Sequence, residues 1–337
     1  VDFDELLTEF RALGGVADNV RLGTGARGRG IFLVDPLKPA TLHAPEALFV
    51  PVADLELRDG QLVVRAGALL GARARAFFEL LQRHFGWGSG AGGEIAQSQL
   101  GWSRLPQPVV DAILRMGVSE DLDIRFAAPT AAICVDHFVR GRQFRAATGK
   151  VLVPFVDLVN YSGDAKPYVT EGGIGVAGTF EDEMLVRYNT SDTWNHAIGH
   201  GFSERAPFAY SVALDMEIDG KHVSVGRATG KFDLKHGVVF PRVRAEGNAV
   251  DLSFALLGQT AAPDLPRAVF RRVMEPYLEP GRVDLLFDNI AYFNQMKFLQ
   301  MLRTLRQHEG PIVRMLEDAA IGQLETLSCR IGSRELP

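Results

Sequence analysis

Val153-Pro-Phe-Val-Asp-Leu-Val-Asn-Tyr-Ser162 is the stretch on which the reading of this chain turns. It continues Val151-Leu-Val-Pro-Phe-Val, an apolar run of the kind that forms a buried strand. The polar residues Asp157, Asn160 and Ser162 follow directly. The amide of Asn160 offers both a donor and an acceptor.

Upstream, Gly23-Thr-Gly-Ala-Arg-Gly28 has the spacing of a dinucleotide fingerprint. That motif must open a helix, because the helix N-terminus holds the pyrophosphate. Here it leads into Ile31-Phe-Leu-Val34, which is strand-like and stops at Pro36. A Rossmann site is therefore excluded, and the Lys-Ser/Thr of a P-loop is missing. Before the glycines, Asp2 and Glu5 form a capping box for a helix with the stripe Phe3, Leu6, Leu7, Phe10 and Leu13, ended by Gly14-Gly15. Asp59-Gly60 marks a hairpin between Leu55 and Val64. Residues 67–86 predict a helix, 86–93 a flexible glycine-rich loop, and 107–116 and 129–144 two further helices. Residues 168–179 and 184–188 predict strands.

Downstream, residues 207–258 are strand-rich, with Asp219-Gly220 as one turn and His236-Gly237 as another, inside Phe232–Phe240. The last third is helical. Leu286, Ile290, Phe293, Met296, Leu299, Leu302 and Leu305 recur every three or four residues, and Pro311 stands where a helix can begin. These stripes predict core packing.

The bulk numbers narrow the function classes. The chain has 337 residues, 47% hydrophobic content and a formal net charge of -5. No lysine or arginine run implies nucleic acid. No apolar stretch reaches the roughly 20 residues needed to span a bilayer, and the start lacks a signal-peptide pattern, so a membrane is not implied. Cys134 and Cys329 make neither a disulfide framework nor a four-cysteine zinc site. A reducing cytoplasm is the expected setting. Cys134, on an apolar helix, reads as core. His196 and His200 are four apart, but Ala197 stands where a zincin has its glutamate, so no metal is expected.

Three segments carry a family resemblance: Arg27-Gly-Arg-Gly-Ile-Phe32, Val153 to Ser162, and Val186-Arg-Tyr-Asn-Thr-Ser followed by Gly199-His-Gly-Phe202. Their order and spacing resemble the SET methyltransferases, in particular the branch of the RuBisCO large-subunit lysine methyltransferase and the actin histidine methyltransferase. The resemblance implies an α+β fold. A SET-type β-rich core would occupy 1–205, with a helical insertion at about 66–145. A strand-rich segment and a helical substrate-binding domain would fill 206–337. It also implies S-adenosylmethionine as cofactor and a protein side chain as methyl acceptor, with lysine leading. Arg27, Gly28 and Arg29 would hold the cofactor's amino-acid end through main-chain groups. Arg142 would pair with its carboxylate, although Arg140 and Arg145 compete for that alignment. Asn160, with Asp157 fixing the bend and Tyr161 beside it, would grip the cofactor. Tyr188 would stand at the transferring methyl group, and Tyr168, His200 and Phe202 would line the target side.

The chain departs from the family at three places. Tyr161 replaces a histidine, His200 replaces a tyrosine, and Asp192-Thr193 replaces a Ser-Asn pair. These changes keep open a histidine or small-amine acceptor, and also a non-catalytic peptide-binding module.

Overall fold

The computed structural model describes residues 2–117, 122–228 and 240–328, apart from the side chain of Asp123. Two compact units are built from interleaved chain: residues 1–103 with 124–188, and residues 104–123 with 189–337. Helices and strands alternate irregularly in both, giving an α+β fold.

The first unit opens on helix Phe3–Ala12, capped by the expected box: Glu5 N–H donates to Asp2 (2.8 Å) and Asp2 N–H donates to Glu5 (2.9 Å). Its Leu6, Leu7 and Phe10 are buried. Strands Val20–Gly25 and Gly28–Leu33 form an antiparallel hairpin, so the fingerprint-like glycines sit in a β-turn and open no helix. Val16–Asp18, Ala40–Pro45 and Gly173–Gly178 make a three-stranded antiparallel sheet. Val50–Pro51, Gly149–Leu152 and Phe144–Ala146 make another. The Leu55–Arg58 and Gln61–Val64 hairpin turns at Asp59 and Gly60, both at positive φ. Two of the decisive segments meet in a short parallel pair, with Asn160 opposite Leu185 and Tyr161 opposite Val186. The third is tied in by Met184 N–H donating to Ile31 O (2.8 Å) and Leu33 N–H to Asp182 O (2.8 Å).

The predicted loop 86–93 is a short turn, Trp87–Ser89, followed by helix Ala91–Ser103. Glycine is a poor helix former. Burial of Ala91, Gln99 and Trp102 on one side of this helix outweighs that deficit. The flanking helices are Ala72–His84 and Ala131–Arg140, each shorter than its predicted range, and Cys134 is buried on the latter.

The second unit holds a four-stranded sheet in the order Leu214–Ile218, Lys221–Val225, Ala249–Leu252, Val243–Glu246. Asp219-Gly220 turns the first hairpin, with both residues at positive φ. The central pair is parallel, with His222 opposite Ala249. Helix Pro280–Leu305 buries Leu286, Ile290, Leu302 and Leu305 of the predicted stripe, but Met296 is exposed and Phe293 and Leu299 are half-buried, the inward face there passing through Asn294, Phe298 and Met301; helix Pro311–Ser328 buries Leu316, Ala319, Leu324 and Leu327. Helix Leu265–Met274, with Val269, Phe270 and Met274 buried, was not expected from the sequence. The His236-Gly237 turn and Cys329 lie outside the described residues. Among the described residues no helix is long and apolar enough to cross a membrane.

Candidate functional site

The first unit gathers most of the residues singled out in the sequence. Strand Gly28–Leu33 brings Arg29 and Gly30 beside Asn160, whose amide donates to the Arg29 carbonyl (3.2 Å) and to Glu183 Oε1 (2.7 Å). Gly30 is required for this approach. A Cβ there would stand 2.4 Å from Asn160 Nδ2 and 2.8 Å from Glu183 Oε1. Gly28 sits at φ 85 with open space around it, so it serves the hairpin turn and not a close contact. Arg27, at the tip, pairs with Glu183 at 3.6 Å. Glu183 was not among the sequence candidates. Its neighbours Glu181 and Asp182 look the same in sequence, and only the pairing of residues 160–161 with 185–186 separates its role from theirs.

Arg29 also belongs to a charged cluster with Arg142 and Asp157. Arg142 follows the end of helix Ala131–Arg140, with its guanidinium over the Phe138 ring at 4.4 Å. Its Nε is buried and has no hydrogen-bond partner. The competing arginines go elsewhere: Arg140 pairs with Asp136 at 3.1 Å, and Arg145 is exposed. Asp157 Oδ1 is also buried without a partner. Burial pushes the Asp157 carboxyl up to about 6, against the opposing pull of Arg142 and Arg29. Burial and the nearby Arg142 charge both lower the Arg29 pKa. The Arg29 side chain reaches the insertion, donating to Ser89 Oγ at 2.7 Å. The cluster therefore presents an acceptor and a donor of opposite charge, each with unused capacity.

Beside it stands a group of aromatic rings. Tyr168 and Tyr188 are nearly parallel at 6.1 Å, Tyr161 meets Tyr188 edge-on at 5.4 Å, and Phe144 meets Tyr168 edge-on at 5.0 Å. The Tyr188 hydroxyl donates to the Val159 carbonyl (2.8 Å), which fixes the ring. Burial raises the Tyr168 pKa well above the ordinary tyrosine range, and Tyr188 and Asp157 add to that rise. A cleft of about 570 Å³ adjoins Glu183 and Arg27, with Phe32, Phe180, Ser162 and Lys166 in its walls.

His200 and Phe202 belong to the second unit. Asp192 caps helix Thr193–His200, accepting from Asn195 N–H at 2.7 Å, and also accepts from Gln323 at 3.0 Å and Tyr210 N–H at 3.3 Å. The His196, His200 and Phe202 rings lie 5.2–5.8 Å apart. Burial, with His200 adding, holds His196 well below the ordinary histidine range, so it is neutral at pH 7. Its Nε2 meets Asn189 Oδ1 at 3.1 Å. Among the described residues no group of three or more His, Cys, Asp or Glu side chains is placed to hold a metal ion.

No protein-family model matches the chain, and no curated protein matches it in sequence. Among solved structures the chain is similar to the SET domain of LSMT bound to lysine and AdoHcy, at 14% identity and a TM-score of 0.43, over 96% of this chain and 89% of that one.

Proposed function

We propose that this chain is a SET-type methyltransferase that uses S-adenosylmethionine to methylate a lysine side chain of a partner protein. The observation that carries the reading is the pair of unpartnered buried atoms, Arg142 Nε and Asp157 Oδ1. Leaving such atoms unpaired costs about 1–3 kcal/mol each, a cost that a bound partner group removes. An amino-acid zwitterion answers both, its carboxylate at Arg142 and its ammonium at Asp157. When bound, the cofactor supplies a methyl group on a positive sulfur.

The chain's own residues do the rest. Asn160, held by Glu183 and the Arg29 carbonyl, sets the shape of the site at its edge. The adjoining cleft has volume for the remainder of the cofactor. Methyl transfer is an in-line displacement, so alignment is the main demand on the protein. The Tyr188 oxygen can take weak C–H···O contacts from polarised methyl hydrogens. Tyr161, Tyr168 and Phe144 exclude water around it. A lysine must lose its proton first, which costs about 4.6 kcal/mol at pH 7 in water. A dry aromatic channel disfavours the charged amine and lowers that cost.

The test is calorimetric titration with S-adenosylhomocysteine of the wild type and of Arg142→Met. Micromolar binding to the wild type, lost in the variant, is the expected result. No binding to the wild type would overturn the reading. Amino-acid analysis of the methylated partner then separates methyl-lysine from methyl-histidine.

A further inference from the structure

Four residues other than glycine have positive φ among those described, and three of them are Asn19, Asp59 and Asp219, types that tolerate the left-handed region. The fourth is Phe155, at φ 64 and ψ -38. That pair of angles lies near the strained γ-turn region, which a bulky residue adopts only when its surroundings force it. Here they do. The Phe155 ring is fully buried and packs edge-on against Phe3 (5.2 Å) and Phe10 (5.1 Å), with Phe77 at 5.8 Å.

The strained residue lies inside a closed turn. Asp157 N–H donates to the Val153 carbonyl (3.1 Å), and Leu158 N–H donates to the Phe155 carbonyl (3.0 Å). Asp157 closes the first of these turns and lies within the second. We propose that Phe155 is a positioning residue through its backbone: the left-handed turn, whose strain is offset by burial of the ring among Phe3, Phe10 and Phe77, aims the Asp157 carboxylate into the cluster of Arg29, Arg142 and Tyr168. Its consequence for ligand binding rests on the cofactor reading above, whereas the placement of the carboxylate can be read without any ligand.

The test uses two substitutions of nearly equal volume. Phe155→Leu and Phe155→Ile both delete the ring and cost similar packing. Isoleucine is β-branched and resists positive φ far more than leucine does. Phe155→Gly takes the turn without strain and serves if the isoleucine variant does not fold. The groups facing Asp157 are Arg29, Arg142 and Tyr168, and its raised carboxyl titration reports its burial there, which outweighs the opposing pull of Arg142 and Arg29. It is followed by carbon-13 NMR of labelled aspartate, assigned with Asp157→Asn.

In Phe155→Ile the Asp157 titration moves toward that of an ordinary aspartate, and S-adenosylhomocysteine affinity falls about tenfold or more. In Phe155→Leu and Phe155→Gly both stay closer to wild type, even though the glycine variant is the least stable. Equal titration and equal affinity in the leucine and isoleucine variants would overturn the proposal, because packing alone then explains the site. If the wild type binds no S-adenosylhomocysteine, the cofactor reading fails. The NMR comparison still decides the positioning role.

Discussion

Replacing Asp157 by asparagine should make the protein more stable at neutral pH while removing a group the site needs. Burial holds the Asp157 carboxyl at about 6 against an ordinary value of 3.8. That displacement corresponds to about 3 kcal/mol. Below about pH 4 the carboxyl is protonated in folded and unfolded chains alike, and the cost is absent. Between about 4 and 6 the unfolded chain ionises while the folded one stays protonated, so stability falls as pH rises. Above 6 the full cost stands. Asparagine mimics the protonated form at every pH. Urea unfolding followed by tryptophan fluorescence should therefore show Asp157→Asn more stable by up to about 3 kcal/mol at pH 8, with an unchanged m-value, and nearly equal to wild type at pH 4. Equal stability at pH 8, or a loss, would mean that Arg29 and Arg142 outweigh the burial of the carboxylate. Asp157 would then be a structural ion-pair partner with no vacancy to fill.

Other outcomes follow from the same geometry. S-adenosylhomocysteine binding should weaken as pH falls through about 6, because Asp157 must be ionised to take an ammonium, and calorimetry across pH 5–8 would show it. Tyr188→Phe should lower methyl transfer by about a hundredfold or more with cofactor affinity nearly unchanged, measured by single-turnover kinetics against equilibrium titration. Gly30→Ala drives a methyl into Asn160 and Glu183 and should cost about 1–3 kcal/mol by thermal unfolding, with loss of cofactor affinity. Asp192→Ala removes the cap of helix Thr193–His200 and the acceptor for Gln323, and should cost about 2–4 kcal/mol in urea unfolding.

What the sequence makes legible is mostly local. The capping box at Asp2 and Glu5, the turns at Asp59-Gly60 and Asp219-Gly220, and the helix start at Pro311 each depend on a few adjacent residues, and each is found where read. The helix Ala91–Ser103 was not legible, because its glycines oppose it and only burial of Gln99 and Trp102 decides the matter. Three arginines within six residues are alike in sequence, and only the fold separates Arg142, stacked on Phe138, from Arg140, paired with Asp136. Glu183 owes its place to a strand pairing across more than twenty residues. Nothing local announces the backbone of Phe155, since phenylalanine is among the residues least suited to it.

The interleaving of the two units has a consequence for synthesis. Helix Gln107–Arg115, with Val109, Ala112 and Ile113 buried, packs on helix Pro280–Leu305 within the second unit, and Arg227 donates to the Gly117 carbonyl there at 2.8 Å. On the ribosome that helix emerges long before its partner. At about 5–20 residues per second its apolar face waits roughly ten to forty seconds for cover. Nascent chains halted near residue 188 would complete the first unit and still expose that face, which makes them the natural clients of a holdase. A cut at residue 188 would strand the same helix, so the second unit expressed alone should recover its solubility only when residues 104–123 are supplied as a separate peptide.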